Sequence, residues 1–139
     1  MIILDTNVIS EPLKAQADPT VQRWLDRQEA ETLYLTATNL AEVLTGIELR
    51  PEGKRKRGMA AAMRELLQTL FGTRILSFDE EAAVAYSMLV CKAMATGHTI
   101  SVADGQIAAI AAVHGFTVAT RDTEPFLAAG VLVVNPWES

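Results

Sequence analysis

Four acidic residues in this chain stand where their carboxylates could meet. Asp5 directly follows the apolar run Ile2–Leu4, and Asp122 follows a second apolar stretch near the end of the sequence. Glu42 and Asp104 each come three residues after a side chain that can cap a helix. A carboxylate at the end of a buried strand is costly to desolvate unless donors or cations meet it. These four acids can act together only if the fold brings them to one place.

Four neighbouring carboxylates would point to metal chemistry. Such a cluster repels itself at neutral pH and persists only if cations neutralise it. Oxygen-only ligands suit Mg²⁺ or Mn²⁺, which bind a few carboxylates and several waters. An ion of this kind activates a bound water and stabilises the charge of a phosphodiester under attack. The acids thus predict metal-dependent phosphodiester hydrolysis, with Thr6, Asn7 and Thr120 available to orient carboxylates or water.

Glu42 and Asp104 also have a purely structural interpretation. The pairs Asn39–Glu42 and Ser101–Asp104 have the spacing of a capping box, in which the acid returns a hydrogen bond to the cap. In that case each acid stabilises a helix end and takes no part in chemistry. The sequence leaves both interpretations open.

Apolar runs alternate with helical patterns along the whole chain. The runs predict strands over 2–4, 33–35, 75–78, 116–119 and 131–134, and an apolar helical pattern covers 59–71. Alternation of this kind predicts an α/β fold with a five-stranded, mostly parallel sheet and helices on both faces. If the strands before Asp5 and Asp122 are neighbours at a switch point of the sheet, the two carboxylates share one crevice.

The composition of the chain excludes several classes of site and of protein. With 139 residues, one cysteine and two separated histidines, we expect one domain over residues 1–139 and no Cys/His zinc site. No apolar run approaches the roughly 20 residues that span a bilayer, so we expect a cytoplasmic protein without membrane contact. The net charge of −5 argues against general affinity for nucleic acid.

One segment departs from this acidic balance. Lys54, Arg55, Lys56 and Arg57 form the only basic run of the chain. Such a run is either a solvated face or an edge that contacts phosphates, and both interpretations stay open. Arg121, next to Asp122, is a further candidate for contact with nucleic acid.

Several short motifs resemble those of the PIN-domain nucleases. In chain order they are residues 3–10 (Ile-Leu-Asp-Thr-Asn-Val-Ile-Ser), Ala41-Glu42, Ala103-Asp104 and residues 119–122 (Ala-Thr-Arg-Asp). The chain is similar to the VapC toxins of type II toxin–antitoxin pairs, especially their FitB-like branch, which the closing Asn135-Pro136-Trp137 also fits. The resemblance covers essentially all of the chain.

This resemblance implies a PIN fold and a ribonuclease that depends on Mg²⁺ or Mn²⁺. It implies Asp5 and Asp104 as metal ligands, with Glu42 and Asp122 binding the metal directly or through water. Thr120 and Asn7 would be polar helpers. It also implies a homodimer, and a larger assembly with a small DNA-binding antitoxin whose C-terminal tail covers the toxin groove.

A second function fits the same resemblance. A PIN-like subunit could dimerise and hold a DNA-binding partner on its operator while cleaving RNA only feebly. A phosphoaspartyl or receiver domain built on Asp5 is disfavoured, because no lysine lies near a strand end to pair with a phosphate. Intact acids favour the nuclease over the binding subunit.

Overall fold

Five parallel strands form the centre of the protein. The computed structural model describes all residues from 1 to 139, and its sheet has the order β3-β2-β1-β4-β5. The predicted parallel sheet is therefore confirmed. The strands are β1 (Ile2–Leu4), β2 (Leu33–Thr36), β3 (Ile75–Leu76), β4 (Thr117–Ala119) and β5 (Val133–Val134).

Seven α-helices connect and cover these strands. Short 3₁₀ turns follow α1 and precede β2, a π-helical turn over Leu67–Phe71 extends α4, and a last 3₁₀ turn covers Pro136–Glu138. None of the helices has the length and apolar character needed to cross a bilayer. The helices are α1 (Thr6–Ser10), α2 (Pro19–Asp26), α3 (Ala37–Glu48), α4 (Lys54–Leu66), α5 (Glu80–Ala95), α6 (Val102–His114) and α7 (Glu124–Ala128).

Strand β1 is apolar throughout because helices cover both faces of the sheet. Successive side chains of a strand point to opposite faces. Ile3 accordingly packs in a core that includes Ile107 of α6, while Leu4 packs in a second core that includes Val43 of α3. Both strand residues are fully buried. The predicted helical layers on the two faces are confirmed.

Helix α4 begins earlier than the sequence pattern predicted. It starts at Lys54 rather than at residue 59, so the basic run forms its first turn. Cations oppose the partial positive charge of a helix start, which is why the pattern did not suggest this boundary. Lys56 offsets the conflict by pairing with Glu52 at 2.8 Å and Glu48 at 3.5 Å. The edge strands β3 and β5 are also shorter than predicted, at two residues each.

The strand order places a switch point at the centre of the sheet. From β1 the chain proceeds outward through β2 and β3, then returns to the other side of β1 as β4. Ligands of open α/β sheets bind at the carboxyl ends of the strands flanking such a point. The backbone N–H of Asp5 donates to the carbonyl of Ala119 at 2.9 Å, so the ends of β1 and β4 lie side by side.

Candidate active site

The Asp5 carboxylate lies at the switch point and is only 6% exposed. Its Oδ1 accepts hydrogen bonds from the Thr6 backbone N–H at 2.8 Å and from Nδ2 of Asn39 at 3.1 Å. Its Oδ2 accepts one from the Thr120 hydroxyl at 2.8 Å. Both oxygens are therefore fixed in orientation by donors from α1, from α3 and from the residue after β4.

Asn39 is a site residue that sequence analysis missed, because it was considered only as a helix cap. The cap of α3 is Thr36, and Asn39 completes the capping box with it. The Oδ1 of Asn39 accepts from the Thr36 backbone at 3.2 Å and from its hydroxyl at 2.7 Å. This turns the amide nitrogen toward Asp5 and, at 3.4 Å, toward the Thr6 hydroxyl. Asn39 is fully buried.

Glu42 lies one turn further along α3 and is exposed. Its Oε1 accepts a hydrogen bond from the Thr6 hydroxyl at 2.6 Å. The capping interpretation of Glu42 is wrong, because α3 begins after Thr36 and the capping box belongs to Thr36 and Asn39. Thr6 thus joins the second acid to the first: its N–H holds Asp5 and its hydroxyl holds Glu42.

Asp104 occupies the first turn of α6 and is half-buried. Ser101 caps this helix by accepting from the Asp104 backbone N–H at 3.1 Å, as the spacing predicted. The Asp104 carboxylate returns no hydrogen bond to the cap backbone, so the capping box is only half formed. Burial, together with the charges of Asp122 and Glu42, raises the pKa of Asp104 above its ordinary value. The negative charges of Asp122 and Glu42 therefore reach the Asp104 carboxylate.

Asp122 is exposed and reaches the site through Thr120. Its backbone N–H donates to the Thr120 hydroxyl at 3.1 Å, the same hydroxyl that donates to Asp5. Between them, the Arg121 N–H donates to Oδ1 of Asn7 at 3.4 Å. The Arg121 guanidinium lies 5.1 Å from the centre of the Trp137 ring, a cation–π contact.

The four acids at this edge of the sheet carry negative charge that no ion pair neutralises. Burial raises the pKa of Asp5, the hydrogen bonds from Thr120 and Thr6 oppose that rise, and the charges of Asp104 and Glu42 add to it. The ion pairs of the structure join Lys14 to Glu11 and Lys56 to Glu48 and Glu52, so none of them reaches the four acids.

The donor set suits a hard divalent cation that keeps several waters. No group of three Asp, Glu, His or Cys side chains has the arrangement of a ready-made metal site. A protein Mg²⁺ site requires only one or two carboxylates, with water filling the remaining positions. Asp5, which is buried, and Asp104, which is half-buried, are the candidates for direct ligands, and the exposed Glu42 and Asp122 are candidates for contact through water.

The basic run divides into residues with different surroundings. Lys54, Arg55 and Arg57 are exposed, whereas Lys56 is partly covered and also donates to the Glu48 carbonyl at 2.9 Å. Arg55 donates to the carbonyl of Leu13 at 3.1 Å. Lys56 therefore makes its contacts within the chain, and the other three cations are exposed to solvent.

Comparison with known proteins identifies a family and several relatives of this chain. The family described as PIN domain matches residues 2–131. A VapC ribonuclease of Sinorhizobium fredii is 50% identical over 139 residues, covering 99% of each chain. The toxin FitB of Neisseria gonorrhoeae is 47% identical over 137 residues, covering 99% of each chain. A solved structure of FitAB bound to a DNA fragment matches with a TM-score of 0.94 and 47% identity, over 99% of this chain and 96% of that one.

Removal of the Asn39 amide should destabilise the protein. In Asn39→Ala, the Thr36 hydroxyl loses its acceptor and Asp5 loses a donor, and each unpaired buried polar group costs about 1–3 kcal/mol. The free energy of unfolding in urea measures the loss. Asn7→Ala is the control, because its side chain makes only the 3.4 Å contact with Arg121 and is half-exposed. Equal stability of both variants would show that Asn39 does not support Asp5.

Neutralising Asp104 should stabilise the metal-free protein. A raised carboxylate pKa means that the folded state binds more protons than the unfolded chain, so this group destabilises the fold above its raised pKa. With EDTA, Asp104→Asn should melt higher than wild type at neutral pH, and the difference should shrink as pH falls toward about 4. If Asp104 acted only as a helix-start acid, its loss would instead cost about 0.3–1 kcal/mol.

Proposed function

The chain belongs to the PIN domain family, and on that basis we propose that it is a metal-dependent endoribonuclease, the toxin of a toxin–antitoxin pair. The observation that carries this proposal is the buried Asp5 carboxylate, which lies among the charges of Glu42 and Asp104 without a protein cation. Relatives named as a ribonuclease and as a toxin, at about half identity over nearly the whole chain, support it. The domain spans residues 1–139 and acts on RNA in the cytoplasm.

Asp5 and Asp104 would hold Mg²⁺ or Mn²⁺, with Glu42 and Asp122 bound directly or through water. When bound, the ion supplies a positive charge for the phosphodiester and makes a coordinated water more acidic. The chain's own contribution is orientation. Three donors fix the Asp5 oxygens before any ligand arrives, which avoids reorganisation during the reaction.

Glu42 is the acid best placed to accept a proton from water. Its Oε1 is held by the Thr6 hydroxyl, and no protein donor meets its Oε2. An exposed carboxylate oxygen held in this way can take the proton that an attacking water must lose. Thr120 complements it by linking the Asp5 side chain to the backbone of Asp122.

The partner we propose is a small DNA-binding antitoxin. FitAB, whose solved structure is bound to a DNA fragment, is the supporting precedent. The toxin would form a homodimer and a larger hetero-oligomer with that antitoxin. The same precedent favours the second candidate function, a PIN-like subunit that holds its partner on an operator and cleaves RNA little.

Cleavage should depend on Asp5 and Asp104. Loss of one metal ligand removes several kcal/mol of transition-state stabilisation, so Asp5→Asn or Asp104→Asn should slow RNA cleavage on the order of a thousandfold. The assay uses partner-free protein with Mn²⁺ and with EDTA, and circular dichroism checks the fold. Glu65→Gln, an exposed acid on α4, is the matched control.

The result also separates the two functions. Wild-type protein that binds a partner but cleaves no RNA with Mn²⁺ would favour the binding subunit. A folded Asp104→Asn variant that cleaves like wild type would contradict the proposed site.

Metal should stabilise the wild-type protein more than the variant. Binding to the folded state alone contributes about 2.7 kcal/mol when the ion is at a hundredfold excess over its dissociation constant. Thermal melts with EDTA and with Mn²⁺ should therefore show a large shift for wild type and a small one for Asp104→Asn. Equal shifts in both proteins would place the ion away from Asp104.

A further inference from the structure

A groove begins at Glu42, one of the four acids, and runs along α1, α3 and α4. Its near part begins at Thr6 and Glu42 and continues past Lys14 and Arg50. Its far part runs along the start of α4. Leu13 and Met59 line both parts, so the two parts lie next to each other. The far part is lined by Pro12, Leu13, Lys54, Arg55, Gly58, Met59 and Ala62.

The charge of this groove is opposite to that of the protein as a whole. Four cations line it, and the only acid among its lining residues is Glu42 at the end nearest the acids. The chain carries a formal net charge of −5. The four cations are Lys14, Arg50, Lys54 and Arg55.

The cations differ in how much the fold occupies them. Lys14 pairs with Glu11 at 3.0 Å, and Arg55 donates to the Leu13 carbonyl. Arg50 and Lys54 are exposed and make no side-chain hydrogen bond or ion pair within the chain. A positive strip that begins at an acidic site fits a polyanion whose reacting phosphate lies at the acids.

Two glycines in the walls of the groove have open space where a side chain would stand. Gly46 lies within α3 and Gly58 within α4, and a Cβ added at either position would have no atom within 4 Å. Glycine in a helix interior costs about 1 kcal/mol relative to alanine. The missing side chains leave room for a ligand to approach the helix backbones closely.

We propose that this groove binds single-stranded RNA on one side of the cleaved phosphodiester, with Arg50 and Lys54 contacting phosphates. The inference rests on the proposed ribonuclease function and adds to it the path of the substrate. It also divides the basic run: Lys54 and Arg55 line the groove, whereas Lys56 and Arg57 do not. RNA is favoured over a neutral or basic protein segment, because the lining cations have no acidic counterparts beyond Glu42.

The salt dependence of RNA binding tests the cations. The probe is a short fluorescein-labelled single-stranded RNA of mixed sequence, and the protein carries Asp104→Asn with EDTA present, so that the probe stays intact. Adding Arg50→Gln and Lys54→Gln should reduce the slope of the logarithm of the binding constant against the logarithm of salt concentration by roughly 0.7 per lost contact. Adding Arg57→Gln and Arg64→Gln, an exposed pair on α4 outside the groove, removes the same charge and should leave the slope unchanged.

Substitution of the two glycines distinguishes a role in RNA binding from a role in the stability of the fold. Alanine at position 46 or 58 fits the open space and favours the helix, so Gly46→Ala and Gly58→Ala should each raise Tm by about 2–4 °C. The same substitutions fill the groove and should weaken RNA binding by about tenfold. Higher Tm with unchanged RNA affinity would contradict the proposal.

The outcomes separate the groove from the proposed function. If wild type cleaves RNA with Mn²⁺ but the groove variants bind the probe normally, the groove inference is wrong and the function stands. If the groove variants change the molar mass in light scattering but not the salt slope, the groove is a contact between copies, and the inference is again wrong. If wild type neither binds nor cleaves RNA, both proposals fail.

Discussion

The burial of one carboxylate, Asp5, is the constraint on which the acidic edge depends. An ionised carboxylate removed from water costs several kcal/mol unless hydrogen-bond donors replace the lost solvent. The donors come from Thr6 in α1, Asn39 in α3 and Thr120 after β4. The carboxylate is satisfied only when the sheet centre and these helix starts are correctly placed. The packing that stabilises the fold is therefore the same packing that orients the Asp5 carboxylate.

The features that could be predicted from the sequence were those determined by the local pattern of apolar and acidic residues. Short apolar runs followed by acids identified β1 and β4 and placed Asp5 and Asp122 at strand ends. The strand order of an α/β sheet then brought those ends together. The role of Glu42 could not be decided in the same way, because Thr36, Thr38 and Asn39 are all good caps and only the true helix start decides between them.

Three features could not be predicted from local sequence pattern, because tertiary contacts decide them. The amide of Asn39 becomes a donor to Asp5 only because Thr36 occupies its oxygen, a contact that sequence spacing permits but does not require. The start of α4 places cations where the helix dipole disfavours them, and the pairing of Lys56 with Glu48 and Glu52 compensates. The groove likewise arises from how three helices pack, which no short motif encodes.

The separation between Asp5 and Thr120 along the chain also determines when the contacts of Asp5 can form during synthesis. The two residues are 115 positions apart, and the strand that carries Asp5 pairs directly with β4. Contacts between such distant segments form only after the cost of closing the long intervening loop is met. On the ribosome, β1 can pair with β2 but lacks its second neighbour, and Asp5 lacks its third donor, until β4 has emerged. The acidic edge of the sheet is therefore assembled only when synthesis of the chain is nearly complete.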